Sequence, residues 1–347
     1  MTNRINWIDY AKAFAIFCVV LLHANVPYPA KGLIRVWVIP LFFFLSGVFA
    51  NTQRYSTFKD FMKEKGIHIL IPYLCFNVIT YLFWLFLGRH FGYDASMSPE
   101  WWKPLLGMIY GEYSGFIHYI PIWFLACLFT TETLYYLLFC HIQNKTIYWL
   151  VVGIIATIGG LNYYFDPIPL PWGLHIAFPM MVFYATGAFF AEEIRTDSYH
   201  ILSLKYAYLW IAVSAAIVAG IYLINPGEVL VFKNEYGNYF LFFIGAYAGI
   251  ICILMLCRLL ETYASKQLSW LAYIGQNTLI ILCLHLIMFS FIKGITYFLF
   301  HLPLEIYETS WVIVALSIAD IILLIPVIMT INRFCPFITG KSRISTP

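Results

Sequence analysis

Ten apolar runs, each long enough to cross the ~30 Å hydrocarbon core of a bilayer as a helix, dominate this sequence. The chain is 62% hydrophobic and 11% charged, whereas a soluble domain has roughly 45–50% apolar and about 25% charged residues. The runs are continuous and do not alternate, which excludes a membrane barrel and leaves helices as the spanning element. The sequence therefore predicts an all-α polytopic membrane helical bundle with spans at 6–26, 33–50, 67–88, 117–140, 146–163, 174–193, 204–224, 238–258, 270–298 and 309–333.

We expect one integral membrane domain over residues 1–347, since no repeat, low-complexity tract or soluble domain interrupts these spans. The ninth span is long and could tilt or break near Lys293-Gly294. The first span carries Asp9 and Lys12 and lacks a small-residue cleavage pattern, which excludes a cleavable signal peptide. The net charge of +3 is small and scattered, which argues against nucleic-acid binding.

The lysines and arginines orient the predicted bundle. With the N-terminus in the cytoplasm, thirteen of these 20 residues fall on the inner side and four in outer loops, while Lys12, Arg35 and Lys293 lie inside spans. This is a positive-inside bias, and the even number of spans returns the C-terminus to the cytoplasm. One longer outer loop, about 89–116, is either a lid over an outward-facing cleft or a structural cap.

Lys12 and His23 lie eleven residues apart in the first span. Eleven residues make three helical turns plus roughly 20°, so the two side chains share one face, about 16 Å apart along the axis. A cation and an imidazole inside an apolar span usually mark a pathway or a reaction site. The alternative is a lysine that snorkels to the headgroups and a histidine hydrogen-bonded to a neighbouring helix. The shared face favours function, with Lys12 toward the cytoplasm and His23 toward the outside.

Two features follow the start of the second span. Ser46-Gly47 comes after an aromatic run and allows close backbone approach to another helix or to a ligand. Helix packing is the better interpretation from the sequence alone. A basic cluster then stands at the cytoplasmic mouth and suits either anionic lipid headgroups, the default, or a phosphate-bearing substrate; it consists of Lys59, Lys63, Lys65 and His68.

Other polar or aromatic residues lie within or at the ends of later spans. His285 is near the middle of the ninth span and is either a satisfied core histidine or a cavity residue. Trp123, in the fourth span, suits an interfacial position. Glu132 and Asp320 are intramembrane acids, which we expect to pair with buried cations or polar groups.

These positions resemble the acyltransferase-3 family of integral membrane acyltransferases, and within it the fucose 4-O-acetylase-like branch. The family has an arginine or lysine, ten residues and then a histidine, as in Lys12 to His23. Four short matches in the same order over residues 4–285 carry the resemblance: Arg4-x-x-x-x-Asp9-x-x-Lys12 leading to His23; Pro40-Leu41-Phe42-Phe43-Phe44-Leu45-Ser46-Gly47; the basic stretch ending Ile71-Pro72-Tyr73; and Ile122-Trp123-Phe124-Leu125 with Ile274-Gly275-Gln276-Asn277-Thr278-Leu279 to His285. The third match departs from the family, because Lys65 and His68 stand where arginines are common.

The resemblance implies transfer of an acyl group, most often acetyl from cytoplasmic acetyl-CoA, to a hydroxyl of a sugar in a surface polysaccharide or glycolipid. By the same resemblance His23 is the catalytic residue, while Lys12, Lys65 and His68 contact the acyl-CoA. We expect the substrate-binding residues to be Arg35, Ser46, Trp123, Asn277 and His285. The CoA arm would thread along the face shared by Lys12 and His23. No metal and no permanently bound cofactor is expected.

The physical chemistry agrees with this assignment. A positioned histidine can take the proton of a sugar hydroxyl as it attacks a thioester, either directly or through an acyl-histidine. The runner-up function is a transporter of a small polar solute or lipid-linked sugar, because polar intramembrane residues also suit a translocation path. A structural subunit of an envelope-polymer assembly is a third possibility. We expect a multi-pass protein of the bacterial inner membrane; the acceptor glycan, the acyl group and the oligomeric state stay open.

Overall fold

The computed structural model describes residues 5–91, 100–165, 168–196 and 204–341. Within these ranges the chain is helical, with no strand beyond one isolated bridge between Leu230 and Glu235. Ten helical segments are long and apolar enough to cross a membrane, one for each predicted span. The predicted all-α polytopic architecture is thereby confirmed.

The α-helices follow the chain in the order that is used below. They are α1 Asn6–His23, α2 Ala30–Arg35, α3 Val38–Val48, α4 Phe58–Lys65, α5 Ile71–Phe86, α6 Lys103–Tyr110, α7 Trp123–Phe139, α8 Lys145–Tyr164, α9 Leu174–Phe189, α10 Ala191–Thr196, α11 Ala207–Ile224, α12 Tyr239–Ala264, α13 Ser269–Gly275, α14 Thr278–Phe300 and α15 Ser310–Phe334.

The contacts divide the chain into two compact units. The first unit comprises Met1–Asn51, Ile142–Pro167 and Phe178–Thr278, and the second comprises Thr52–His141, Ile168–Ala177 and Leu279–Pro347. Each unit has its own buried apolar core. The single domain over 1–347 stays a prediction, and each unit is described by itself.

Of the two expectations for the ninth span, tilt or break near Lys293-Gly294, the break is not found. The helix α14 continues through Lys293-Gly294, where a Cβ on the glycine would meet no atom within 4 Å. A turn at Gln276-Asn277 instead separates α13 from α14. A single glycine without a close neighbour therefore does not interrupt this helix, whereas the polar pair after Gly275 does.

The third span contains a π-helix at Gly66–Leu70 between α4 and α5. Pro72 follows within the next turn, lacks an N–H and would place its ring against the carbonyl four residues earlier, that of His68. A wider π turn relieves this clash, and such turns are frequent at functional sites. The span thus begins at Phe58, earlier than residue 67.

Helix packing in the first unit relies on Gly47 and Gly187. A Cβ at Gly47 would lie 1.9 Å from the carbonyl oxygen of Tyr184, and one at Gly187 would lie 2.0 Å from that of Phe44. Only glycine permits the backbones of α3 and α9 to approach so closely. The helix-packing interpretation of Ser46-Gly47 is therefore supported at Gly47.

The long outer loop of the second unit is held by hydroxyl groups of α5. Tyr73 Oη donates to the carbonyl of Met108 over 2.6 Å, and Tyr81 Oη donates to that of Trp101 over 3.0 Å. The loop carries its own helix, α6, and its residues 92–99 lie outside the described ranges. These anchors favour the structural cap among the two interpretations of this loop.

Candidate functional site

The expected site residues fall on both units. The first unit carries Lys12, His23, Arg35, Ser46 and Asn277. The second carries Lys65, His68, Trp123 and His285. Arg4, which opens the first motif, lies outside the described residues.

Around Lys12, two of the sequence motifs and the residue after α3 meet in the first unit. Lys12 Nζ lies 3.7 Å from Asp9 Oδ1, one turn earlier on α1. Gln276 Nε2 donates to the other carboxylate oxygen, Asp9 Oδ2, over 3.4 Å. Lys12 Nζ also lies 4.8 Å from the ring centroid of Phe49, directly after α3, a cation–π distance. Asp9 therefore positions both the cation and the amide. Ser46 lies half-buried on α3.

The segment Gly275 to Asn277 is held tightly against α1. A Cβ at Gly275 would lie 1.9 Å from the carbonyl oxygen of Asp9. Asn277 is buried, and its Nδ2 donates to the carbonyl of Tyr273 over 2.8 Å. Asn277 therefore stabilises the end of α13 from within the fold.

The α1 face between Lys12 and His23 is covered. Ile16 and Val19 point the same way as these two residues, and both are buried. Lys12 is half-buried and His23 is exposed. The side chains at the two ends of the shared face are thus accessible, while the stretch between them is not an open groove.

His23 is the last residue of α1, and its ring has a defined orientation. Its Nδ1 lies 2.8 Å from the carbonyl oxygen of Val19. Since a carbonyl can only accept, Nδ1 carries the hydrogen, and the neutral ring has its lone pair at Nε2. A neutral, exposed imidazole held in this tautomer can accept a proton.

Arg35 lies in a polar cluster at the same end of α1. Its Nη1 donates to Tyr28 Oη over 3.2 Å and forms an ion pair with Glu228, to which Tyr28 Oη also donates. The hydrogen bond from Tyr28, together with the Arg35 guanidinium, holds the pKa of the Glu228 carboxyl below its ordinary value. Lys31 Nζ donates to Asn25 Oδ1 nearby, over 2.7 Å. The intramembrane Arg35 is thus neutralised by an acid from a distant segment.

In the second unit Lys65 is paired. Its Nζ lies 2.7 Å from Glu132 Oε2, and both side chains are largely buried. The expectation that Glu132 pairs with a buried cation is confirmed. His68 is exposed on the π-helix, where Gly340 packs so closely that a Cβ there would lie 2.7 Å from His68 Cα.

Trp123 and His285 are buried in the second unit. His285 Nδ1 lies 2.9 Å from the carbonyl oxygen of Ile281 and 3.3 Å from Tyr119 Oη. These contacts favour the core-histidine interpretation of His285. Asp320 was expected to pair with a buried cation or polar group. Neither of its carboxylate oxygens has a hydrogen-bond partner among the described residues.

Sequence reasoning missed Glu228 and Tyr28. An arginine inside a span signals that a counter-ion exists. It does not identify one that is 193 positions away. Gln276 lay within a recognised motif, but nothing in that motif indicated Asp9 as its partner.

No group of three or more His, Cys, Asp or Glu side chains in the part of the chain that the structure describes is placed to hold a metal ion. The sequence profile of the acyltransferase domain, that of the acyltransferase-3 family, matches residues 5–331. Comparison with curated proteins and with solved structures gives no match. The match spans nearly the whole chain and includes the motifs that meet around Asp9. On this ground the chain belongs to the acyltransferase-3 family of membrane acyltransferases.

Proposed function

We propose that this protein is a membrane O-acyltransferase. It moves a short acyl group, acetyl in the first instance, from cytoplasmic acyl-CoA to a hydroxyl of a surface polysaccharide or glycolipid, as in the fucose 4-O-acetylase-like branch. The observation that carries the proposal is the exposed His23, whose Nδ1 is fixed on the carbonyl of Val19, on one helix face with Lys12.

His23 acts as the general base. Its Nε2 lone pair accepts the proton of the sugar hydroxyl while the sugar oxygen attacks the thioester carbonyl. The C–S bond breaks as the ester forms, and the CoA thiolate takes the proton back from the imidazolium. The carbonyl of Val19 stabilises that imidazolium, because it accepts the Nδ1 hydrogen throughout. Transfer through an acyl-histidine uses the same nitrogen as the nucleophile.

Lys12 binds the donor. Its half-buried ammonium lies 3.7 Å from Asp9 Oδ1, a looser pair than the 2.7 Å of Lys65 with Glu132, and so keeps more of its attraction for the phosphates of acyl-CoA. Because Ile16 and Val19 are buried, the donor contacts α1 at its two ends and does not lie along it. This replaces the expected path of the CoA arm along the α1 surface.

Two further predicted donor contacts lie in the second unit, and they differ in how readily they could bind a phosphate. His68 is exposed and accessible to a ligand. The Lys65 ammonium already faces the Glu132 carboxylate, so its attraction for phosphate is reduced. Both assignments rest on the resemblance in the basic stretch before Ile71-Pro72-Tyr73.

The acceptor binds at the end of α1 opposite to Lys12, near His23. Arg35 lies in the cluster near His23 and suits contact with sugar hydroxyls. Ser46, Trp123, Asn277 and His285 are predicted substrate contacts, although the last three are buried. We place the protein in the bacterial inner membrane, with membrane lipid as its surroundings and acyl-CoA as a substrate that is not permanently bound.

Two measurements test the function. Mass spectrometry of envelope glycans from cells with and without this protein should show the loss of an acyl mass, and cells that carry only His23→Ala serve as the inactive control. Acetyl-CoA should raise the melting temperature of the purified protein in detergent, whereas dephospho-CoA should raise it less. Identical glycan masses together with no acetyl-CoA effect would overturn the proposal and favour transport of a polar solute.

A further inference from the structure

The segment between α11 and α12 presents Glu228 on a braced loop of the first unit. Asn225 Nδ2 donates to the carbonyl of Tyr236 over 3.0 Å, and Asn225 Oδ1 accepts from the backbone N–H of Asn238 over 2.6 Å. Leu230 and Glu235 pair through two backbone hydrogen bonds. These contacts fix the loop without any contribution from the Glu228 side chain.

Tyr28 and Arg35 contact Glu228 at this loop. All three side chains can form further hydrogen bonds besides those with one another. Glu228 Oε1 accepts from Tyr28 and Oε2 accepts from Arg35, and each carboxylate oxygen has two lone pairs. The guanidinium of Arg35 has five N–H donors in a planar fork. The Tyr28 residue is 47% exposed and the Glu228 side chain 50% exposed. A planar donor, a carboxylate and a half-exposed aromatic ring, with the Lys31 ammonium 5.9 Å from its centroid, are therefore available together.

The cluster is close to His23. Six residues connect the end of α1 to the start of α2, and Tyr28 is one of them. A ligand on the cluster is thus separated from the proposed base by one short connection of the chain.

The charges of the cluster bear on the class of ligand. Arg35 and Glu228 neutralise each other, while the Lys31 ammonium donates to Asn25 Oδ1 and lies 5.9 Å from the Tyr28 ring centroid, so one positive charge stays nearby. The Arg35–Glu228 pair itself has no net charge with which to select an anion or a cation. Hydroxyls that both donate and accept match a guanidinium beside a carboxylate, and the apolar face of a sugar ring fits the tyrosine.

We propose that Tyr28, Arg35 and Glu228 form the acceptor subsite, which holds a hydroxyl-rich sugar ring so that one hydroxyl faces His23. This inference rests on the proposed acyltransferase function. The competing role is a latch that only fastens the 225–238 loop to α2.

The test uses two conservative variants and a matched control. Glu228→Gln keeps the shape of the side chain and removes its charge, and Tyr28→Phe keeps the ring and removes its hydroxyl. Glu235→Gln changes an exposed acid in the same loop. Each full-length variant is assayed for glycan acylation in cells by mass spectrometry, and for CoA binding and melting temperature after purification.

We expect Glu228→Gln and Tyr28→Phe to lower glycan acylation roughly tenfold or more, the effect of losing a hydrogen bond to a charged group. CoA affinity should stay within about twofold of wild type. Glu235→Gln should change neither property. Unchanged acylation, or a loss that only follows a fall in melting temperature or CoA affinity, would overturn the subsite. If the wild-type protein acylates no glycan, the proposed function itself fails, which is a distinguishable result.

Discussion

Gln276 and Asp9 lie 267 positions apart in the chain, and Gln276 Nε2 donates to the Asp9 carboxylate over 3.4 Å. The neighbouring Gly275 touches the Asp9 backbone. This junction explains why two short motifs at opposite ends of the sequence occur together. The first motif supplies Lys12 and its carboxylate partner Asp9. The second motif supplies Gln276, which donates to the other oxygen of that carboxylate.

Gly275→Ala should weaken the junction. The added Cβ would lie 1.9 Å from the Asp9 carbonyl oxygen, so α13 or α1 must shift. We expect a loss of about 1–3 kcal/mol of stability, seen as a lower melting temperature in detergent, together with weaker CoA binding. The matched control is Gly153→Ala in α8, where a Cβ meets no atom within 4 Å. Equal melting temperatures for the two variants would contradict the packing argument.

Lys12→Ala should reduce affinity for CoA, because it removes the fixed positive charge beside Asp9. Calorimetric titration of the purified variant with CoA measures the change, which we expect to be roughly tenfold or more. Lys266→Ala, at an exposed position after α12, serves as the control. Wild-type affinity in Lys12→Ala would remove Lys12 from the donor site.

Glu132→Gln should destabilise the second unit. It leaves the largely buried Lys65 ammonium without its carboxylate, at a cost of about 3–5 kcal/mol. The double variant Lys65→Met, Glu132→Leu should regain most of that stability in thermal unfolding. Glu100→Gln breaks the exposed pair with Lys103 and should leave the melting temperature close to that of the wild type. A double variant that stays as unstable as the single one would show that the pair is not the cause.

That stable double variant also tests Lys65 as a donor contact. A fall in its CoA affinity would support the assignment from the resemblance. Wild-type affinity would leave the ion pair with a structural role alone.

His118 should make stability depend on pH. Its Nε2 donates to Asn77 Oδ1 over 3.2 Å, and burial lowers its pKa from 6.5 to about 4. Between these values the unfolded chain binds a proton that the folded state excludes. Stability is therefore unaffected above about pH 6.5 and falls as the pH drops, by roughly 3 kcal/mol once it is below 4.

Thermal unfolding of His118→Gln across the same pH range should show a shallower decline than that of the wild type. His141→Gln, at an exposed position of the second unit, should keep the wild-type decline. Parallel curves for wild type and His118→Gln would refute this source of pH dependence.

The membrane fold could be predicted from the sequence because long apolar runs have one solution in a bilayer. The residues of the candidate site could also be chosen from the sequence, since a lysine or histidine inside a membrane span costs free energy and usually marks a functional site. Their partners could not. Glu228, Glu132 and Gln276 contact Arg35, Lys65 and Asp9 through tertiary packing, which no local pattern encodes. The turn after Gly275 was missed likewise, because the close contact of that glycine with α1 is a tertiary one, which the local sequence does not encode.

The proposed role of His23 is tested most directly by acetyl transfer from labelled acetyl-CoA to envelope glycan in membranes that contain wild-type protein, His23→Ala or His141→Ala at equal levels. We predict that His23→Ala loses transfer while it stays membrane-inserted, keeps its melting temperature and binds CoA, and that His141→Ala transfers normally. Undiminished transfer by His23→Ala would contradict the role of His23 as the base.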